Sequence, residues 1–120
     1  MAAAITIYGI KNCDTMKKAR TWLDEQGASY EFHDYKTAGI DAATLERWVQ
    51  EVGWETLLNR AGTTFRKLPD ARKEGLTERK AVALMREQPS MIKRPVLESG
   101  RQLLVGFKPE SYAAALRKHG

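Results

Sequence analysis

Cys13 is the one cysteine of this 120-residue chain, and it sits in the stretch Gly9-Ile10-Lys11-Asn12-Cys13-Asp14-Thr15. A short apolar strand pattern (Ile5, Ile7, Tyr8) precedes it and a helical pattern follows, so the thiol is expected at a helix N-terminus. Unpaired backbone N–H groups and the positive end of the helix macrodipole favour thiolate there. Only the thiolate is a good nucleophile. Lys11 on one side and Lys17 a helical turn on add positive charge, whereas Asp14 works against ionisation, because a neighbouring carboxylate raises a thiol pKa. Many free cysteines are merely small buried hydrophobes. The polar neighbours Lys11, Asn12, Asp14 and Thr15 argue against that reading here.

Other charged groups could serve such a sulfur. Arg94, in Lys93-Arg94-Pro95-Val96, offers a planar, permanently charged fork to a carboxylate, an oxyanion or the thiolate itself. Pro95 stands where a strand can begin, and a cis peptide bond there would mark a tight functional turn. Lys108, in Gly106-Phe107-Lys108-Pro109, opens the last helical pattern; Arg60 and Arg66 flank a glycine-containing loop. On spacing alone, each of these cations either faces an anion or is simply solvated. His33 and His119 are far apart and no second cysteine exists, so no metal-ligand cluster is expected. Neither a Ser-His-Asp signature nor a phosphate-cradling glycine motif is present.

The elements that must hold these residues follow from hydrophobic period and punctuation. Residues 4–8 read as a strand, 14–26 as a helix with Met16, Ala19 and Leu23 on one face, and 29–35 as a half-buried strand with alternating aromatic and polar side chains. Gly27 stops the helix. A βαβ opening implies parallel strands with a right-handed crossover. The middle is helical: Asp41 caps a helix using Leu45, Trp48 and Val49, Gly53 breaks it, and a short helical stretch carries Trp54, Leu57 and Leu58. Residues 61–75, with two glycines, Pro69 and several basic residues, read as irregular. Thr77 caps a helix with Ala81, Leu84 and Met85, ended before Pro89. Val96-Leu97-Glu98, a Ser99-Gly100 turn and residues 101–105 read as a hairpin. Pro109 then starts a helix with Tyr112, Ala113 and Leu116 on its apolar side. Trp22, Trp48 and Trp54 fall near helical stripes and read as core.

Length fits one domain with a core of its own. The net charge of +5 is uneven: residues 1–60 hold seven Lys/Arg against nine Asp/Glu, and residues 61–120 hold thirteen against six. No Lys/Arg run exceeds two, which is a weak nucleic-acid signal and better suits a solvated face with room for an anionic small ligand. No apolar run is long enough to span a bilayer, so no membrane association is expected. The N-terminal stretch lacks the basic region of a secretory signal, and a lone cysteine points to a reducing cytoplasm.

Taken together, the motifs Tyr8-Gly9-Ile10-Lys11-Asn12-Cys13-Asp14-Thr15, Ile92-Lys93-Arg94-Pro95-Val96-Leu97 and Val105-Gly106-Phe107-Lys108-Pro109 resemble the arsenate reductase-like (ArsC/Spx/YffB) branch of the thioredoxin-like superfamily, YffB-type members above all. The resemblance spans essentially the whole chain. It implies an α/β, thioredoxin-like βαβ…ββα fold: a single domain over residues 1–120 with a four-stranded mixed sheet and a helical insertion at about 40–90. It implies that Cys13 is the catalytic cysteine, that Arg94 lines the active site, that Pro95 is the cis-proline beside the cysteine, and that Arg60 matches a further active-site arginine. Lys11, Asn12 and Lys108 complete an expected anion-binding cleft.

The activity so implied is an oxidoreductase, a glutathione-dependent thiol–disulfide reductase acting through a mixed disulfide on Cys13. Glutathione would be a co-substrate, and no bound cofactor or metal is expected. The first alternative is arsenate reduction through a Cys13–arsenate adduct; Lys108 stands where arsenate reductases carry arginine, and lysine lacks the bidentate fork. The second is an Spx-like regulator that binds RNA polymerase. It is disfavoured because Met16 stands where the redox-switch members carry a second cysteine. Partners are therefore expected to be glutathione and a disulfide or oxyanion substrate, with the chain a monomer.

Overall fold

The computed structural model describes residues 5–11, 13–99 and 102–119. Contacts divide them into two compact units, one running to Tyr35 and resuming at Arg94, the other spanning Lys36–Lys93.

The first unit is built on a four-stranded sheet of order β2-β1-β3-β4, with β1 Ile5–Gly9, β2 Glu31–Asp34, β3 Val96–Ser99 and β4 Gln102–Val105. β1 pairs parallel to β2 and antiparallel to β3, and β3 pairs antiparallel to β4. This is the mixed sheet expected of a thioredoxin-like α/β fold. Alternation in β1 puts Ile5, Ile7 and Gly9 inward, toward α1 Asp14–Glu25 and its buried Met16, Ala19 and Leu23. Leu97 and Tyr112, the latter from α8 Pro109–His119, close the same core. Trp22 is only half-buried; it packs edge-on against Tyr112 and Phe107, with ring centroids 5.9 and 6.4 Å away. Helix α1 ends where Gly27 takes a φ of 68°, a conformation costly for side chains with a Cβ. The Gly27 N–H then bonds the Asp24 carbonyl and the Ala28 N–H that of Leu23. The hairpin turn expected at Ser99-Gly100 includes Gly100, which lies outside the described residues, as do the side chains of Leu116 and His119.

The second unit is helical. It contains α2 Tyr35–Ala38 (whose first residue belongs to the sheet unit), α3 Ala42–Val52, α4 Trp54–Leu57, α5 Thr63–Arg66, α6 Asp70–Lys73 and α7 Glu78–Glu87, followed by a 3-10 turn at Pro89–Met91. The apolar stripes are those anticipated: Leu45, Trp48 and Val49 on α3, and Ala81, Leu84 and Met85 on α7, are buried. Thr77 caps α7, its side chain accepting the Lys80 N–H at 3.3 Å. Trp54 is half-buried rather than core. Residues 61–75 differ from the irregular segment expected, because α5 and α6 each complete one turn there. Phe65 and Leu68 are buried, so a local apolar pair three residues apart rewards a turn despite Gly62 and Pro69.

Candidate active site

The sheet topology explains why residues far apart in sequence converge. Gly9 lies opposite Asp34 at the C-terminal ends of parallel β1 and β2, and Tyr8 opposite Val96 at the N-terminal end of antiparallel β3. The segments just beyond, Cys13 after β1, Tyr35 after β2 and Arg94-Pro95 before β3, therefore emerge at one edge of the sheet.

Cys13 is the N-cap of α1, with extended backbone (φ −117°, ψ 130°), and its carbonyl accepts the first helical hydrogen bond from the Lys17 N–H at 3.0 Å. It is half-buried and packs on the edge of the core. As a neutral thiol it makes no side-chain cap hydrogen bond. Ionisation changes that balance. Burial pushes the thiol pKa up, and this is the largest single influence; against it act the Met16 N–H, a hydrogen bond from the Arg94 side chain, the Thr15 N–H and the Arg94 charge. Together these hold the thiol below its ordinary value. The physical cause is thus the unpaired N–H groups of the first helical turn plus one guanidinium.

Arg94 precedes Pro95 through a cis peptide bond. Pro95 is buried, and its carbonyl accepts the Gly106 N–H at 2.8 Å, tying the turn to the chain that leads into α8. The same guanidinium also donates to the hydroxyl oxygen of Tyr35, a residue that is completely buried. Burial, the dominant influence, holds the Tyr35 phenol in its protonated form far above neutrality. Tyr35 was not anticipated as a site residue. The signal lay in its phase: Tyr30 and Phe32 share one strand parity and Tyr35 falls on the other.

Gly9 is a second residue that local reading missed. A Cβ on Gly9 would collide with the Met16 thioether, so only glycine lets the fully buried Met16 lie against the end of β1. Met16 in turn carries the N–H most effective in favouring the thiolate.

The remaining expected residues each have their own surroundings. Lys11 and Lys108 are both exposed, and neither is among the groups that set the Cys13 thiol. Asn12 lies outside the described residues. Arg60, in the helical unit, is exposed and stacks over the Trp54 ring with its guanidinium carbon 5.8 Å from the centroid. Arg66 is exposed in the same unit. Among the described residues no cluster of His, Cys, Asp and Glu could hold a metal ion, and no helix is long and apolar enough to cross a membrane.

A β2-β1-β3-β4 mixed sheet with a cysteine at the first helix N-cap and an arginine before a cis-proline defines a thioredoxin-like α/β protein of the arsenate reductase-like type. The profile of the ArsC family matches residues 8–115. A solved YffB protein is 66% identical with a TM-score of 0.91, covering 94% of this chain and 99% of its own. An uncharacterized protein of Haemophilus influenzae is 40% identical over 111 residues, 92% of this chain and 97% of that protein. The global transcriptional regulator Spx of Streptococcus mutans is 24% identical over 114 residues, 93% of this chain and 82% of its own length. The chain belongs to the ArsC family.

Proposed function

We propose that this chain is a glutathione-dependent thiol–disulfide reductase that works through Cys13 alone. The observation that carries the reading is the half-buried Cys13 sulfur at a helix N-cap, favoured as thiolate by two backbone N–H groups and the Arg94 guanidinium. Cys13 thiolate attacks the glutathionyl sulfur of a mixed disulfide, forming a Cys13–glutathione disulfide and expelling the substrate thiolate, which takes a proton from solvent. A second glutathione thiolate attacks the glutathionyl sulfur on Cys13. Oxidised glutathione leaves and Cys13 thiolate returns, so each turnover converts the mixed disulfide and one glutathione thiol into the substrate thiol and oxidised glutathione. Arg94 stabilises the sulfur anion at the start and end of each cycle. Lys11, Asn12 and Lys108, with Pro95, are the candidate contacts for the tripeptide and its two carboxylates. The test is Cys13→Ser: turnover of a glutathionylated substrate should vanish, and intact mass after oxidised glutathione should show no adduct. Undiminished turnover in that variant would refute the reading.

Membership of the ArsC family favours a second reading, arsenate reduction by the same sulfur. Cys13 thiolate would attack arsenic(V) with loss of water, and glutathione would complete an S–S bond as arsenic departs two electrons richer. Lys108 holds one ammonium where a bidentate fork would grip an oxyanion better. Lys108→Arg should raise arsenate turnover; with none in either form, this second reading fails.

A further inference from the structure

We propose that Tyr35 is a positioning residue that holds the Arg94 guanidinium against the Cys13 sulfur, so that the site is a Tyr35–Arg94–Cys13 relay rather than a cysteine with a loose cation. Three placements carry it. Tyr35 is the residue directly after β2, one step beyond the Gly9–Asp34 pair at the mouth of the site. Its side chain is completely buried, yet ends in a hydroxyl that accepts from Arg94. Arg94 reaches both Tyr35 and Cys13 from the turn that opens β3.

Apolar packing alone would be served by phenylalanine at position 35. A buried hydroxyl is tolerated when it is hydrogen-bonded, and here its partner is the cation that acts on the sulfur. With its proton retained, the phenol presents an oxygen acceptor and no negative charge, so it orients the guanidinium without drawing its charge from the thiolate. An arginine fixed at one N–H group keeps the rest of its planar fork in a constant direction.

The inference builds on the reactive Cys13 of the proposed reductase, but its test needs no glutathione. The probe is the rate of iodoacetamide alkylation of Cys13 against pH, followed by intact mass. Tyr35→Phe should slow alkylation about threefold at pH 6.5, the scale of a modest hydrogen-bond contribution passed on through Arg94, with rates converging at high pH. In an Arg94→Ala background the same substitution should change nothing further. An unchanged or faster profile for Tyr35→Phe, or an equal loss in the Arg94→Ala background, overturns the proposal. Should Tyr35→Phe fail to fold, NMR of the wild-type Arg94 guanidinium decides. Restricted rotation and slow N–H exchange are expected, and a freely rotating group overturns the relay. Failure of glutathione turnover with the relay intact would sink the reductase reading alone.

Discussion

Replacing Arg94 with alanine is the sharpest probe of how the sulfur is activated. Arg94 acts on Cys13 twice, as a hydrogen-bond donor and as a charge, while the Met16 and Thr15 N–H groups survive the change. Burial is the largest influence and opposes ionisation, so in Arg94→Ala two backbone donors must offset it alone. A hydrogen bond to a charged partner is worth about 1.5–3 kcal/mol. The sulfur is half-buried, and screening at such a site brings the expected loss to about 1 kcal/mol, or roughly fivefold in thiolate population when the thiol predominates. Cys13 alkylation followed from pH 5 to 10 should therefore show a profile displaced to higher pH, about fivefold slower near pH 6.5 and equal to wild type at the alkaline limit. Arg94→Lys should fall between, since it keeps charge and loses the fork. A wild-type profile centred on the ordinary cysteine value, or an Arg94→Ala profile that superimposes on wild type, would refute the account of the site.

Gly9→Ala should lower stability by about 1–3 kcal/mol in urea unfolding, the cost of overpacking, because the new methyl must displace buried Met16; a neutral result would show that Met16 repacks freely. The Cys13 pKa is lowered by folding, so the stability it adds is complete above the unfolded-state value and lost as pH falls through the folded value. Wild type should accordingly gain on Cys13→Ser as pH rises toward 9 in parallel denaturation curves; a gap that narrows instead would contradict the lowered pKa. Thr77→Ala removes the cap bond to the Lys80 N–H and should cost about 1 kcal/mol without altering Cys13 alkylation.

The parts of this fold that sequence revealed are those with a local cause. Gly27 and Gly53 end helices at positive φ, Ile5 and Ile7 alternate toward α1, and the α3 and α7 stripes recur at helical spacing, so their positions could be read directly. The turns at Thr63–Arg66 and Asp70–Lys73 could not, because a single turn is too short to display a period and glycine with proline masks it. The site divides the same way. Cys13 was legible because its helix start is local, whereas Arg94 and Tyr35 reach it through strand pairing, which no window of neighbouring residues contains. Arg94 could be nominated on its type and its proline but chosen over simple solvation only with the help of the family resemblance, and Tyr35 was absorbed into the strand before it.

In the proposed reductase, Met16 links the packing of the core to the need for an outside thiol. It stands three residues after Cys13, where its backbone N–H serves the sulfur while its side chain is wholly buried beside Gly9. A thioether cannot form a disulfide, and this chain holds no other cysteine. In the proposed reductase a covalent adduct on Cys13 would therefore persist until a second thiol arrived from solution. Cys13 packs against the core cluster that contains Met16, so that thiol would reach the sulfur at its exposed side. The half-exposure of Cys13 would thus be as necessary to the proposed turnover as its charge. A deeper sulfur would lose its resolving partner as well as its substrate, and a shallower one would exchange the Arg94 hydrogen bond for water.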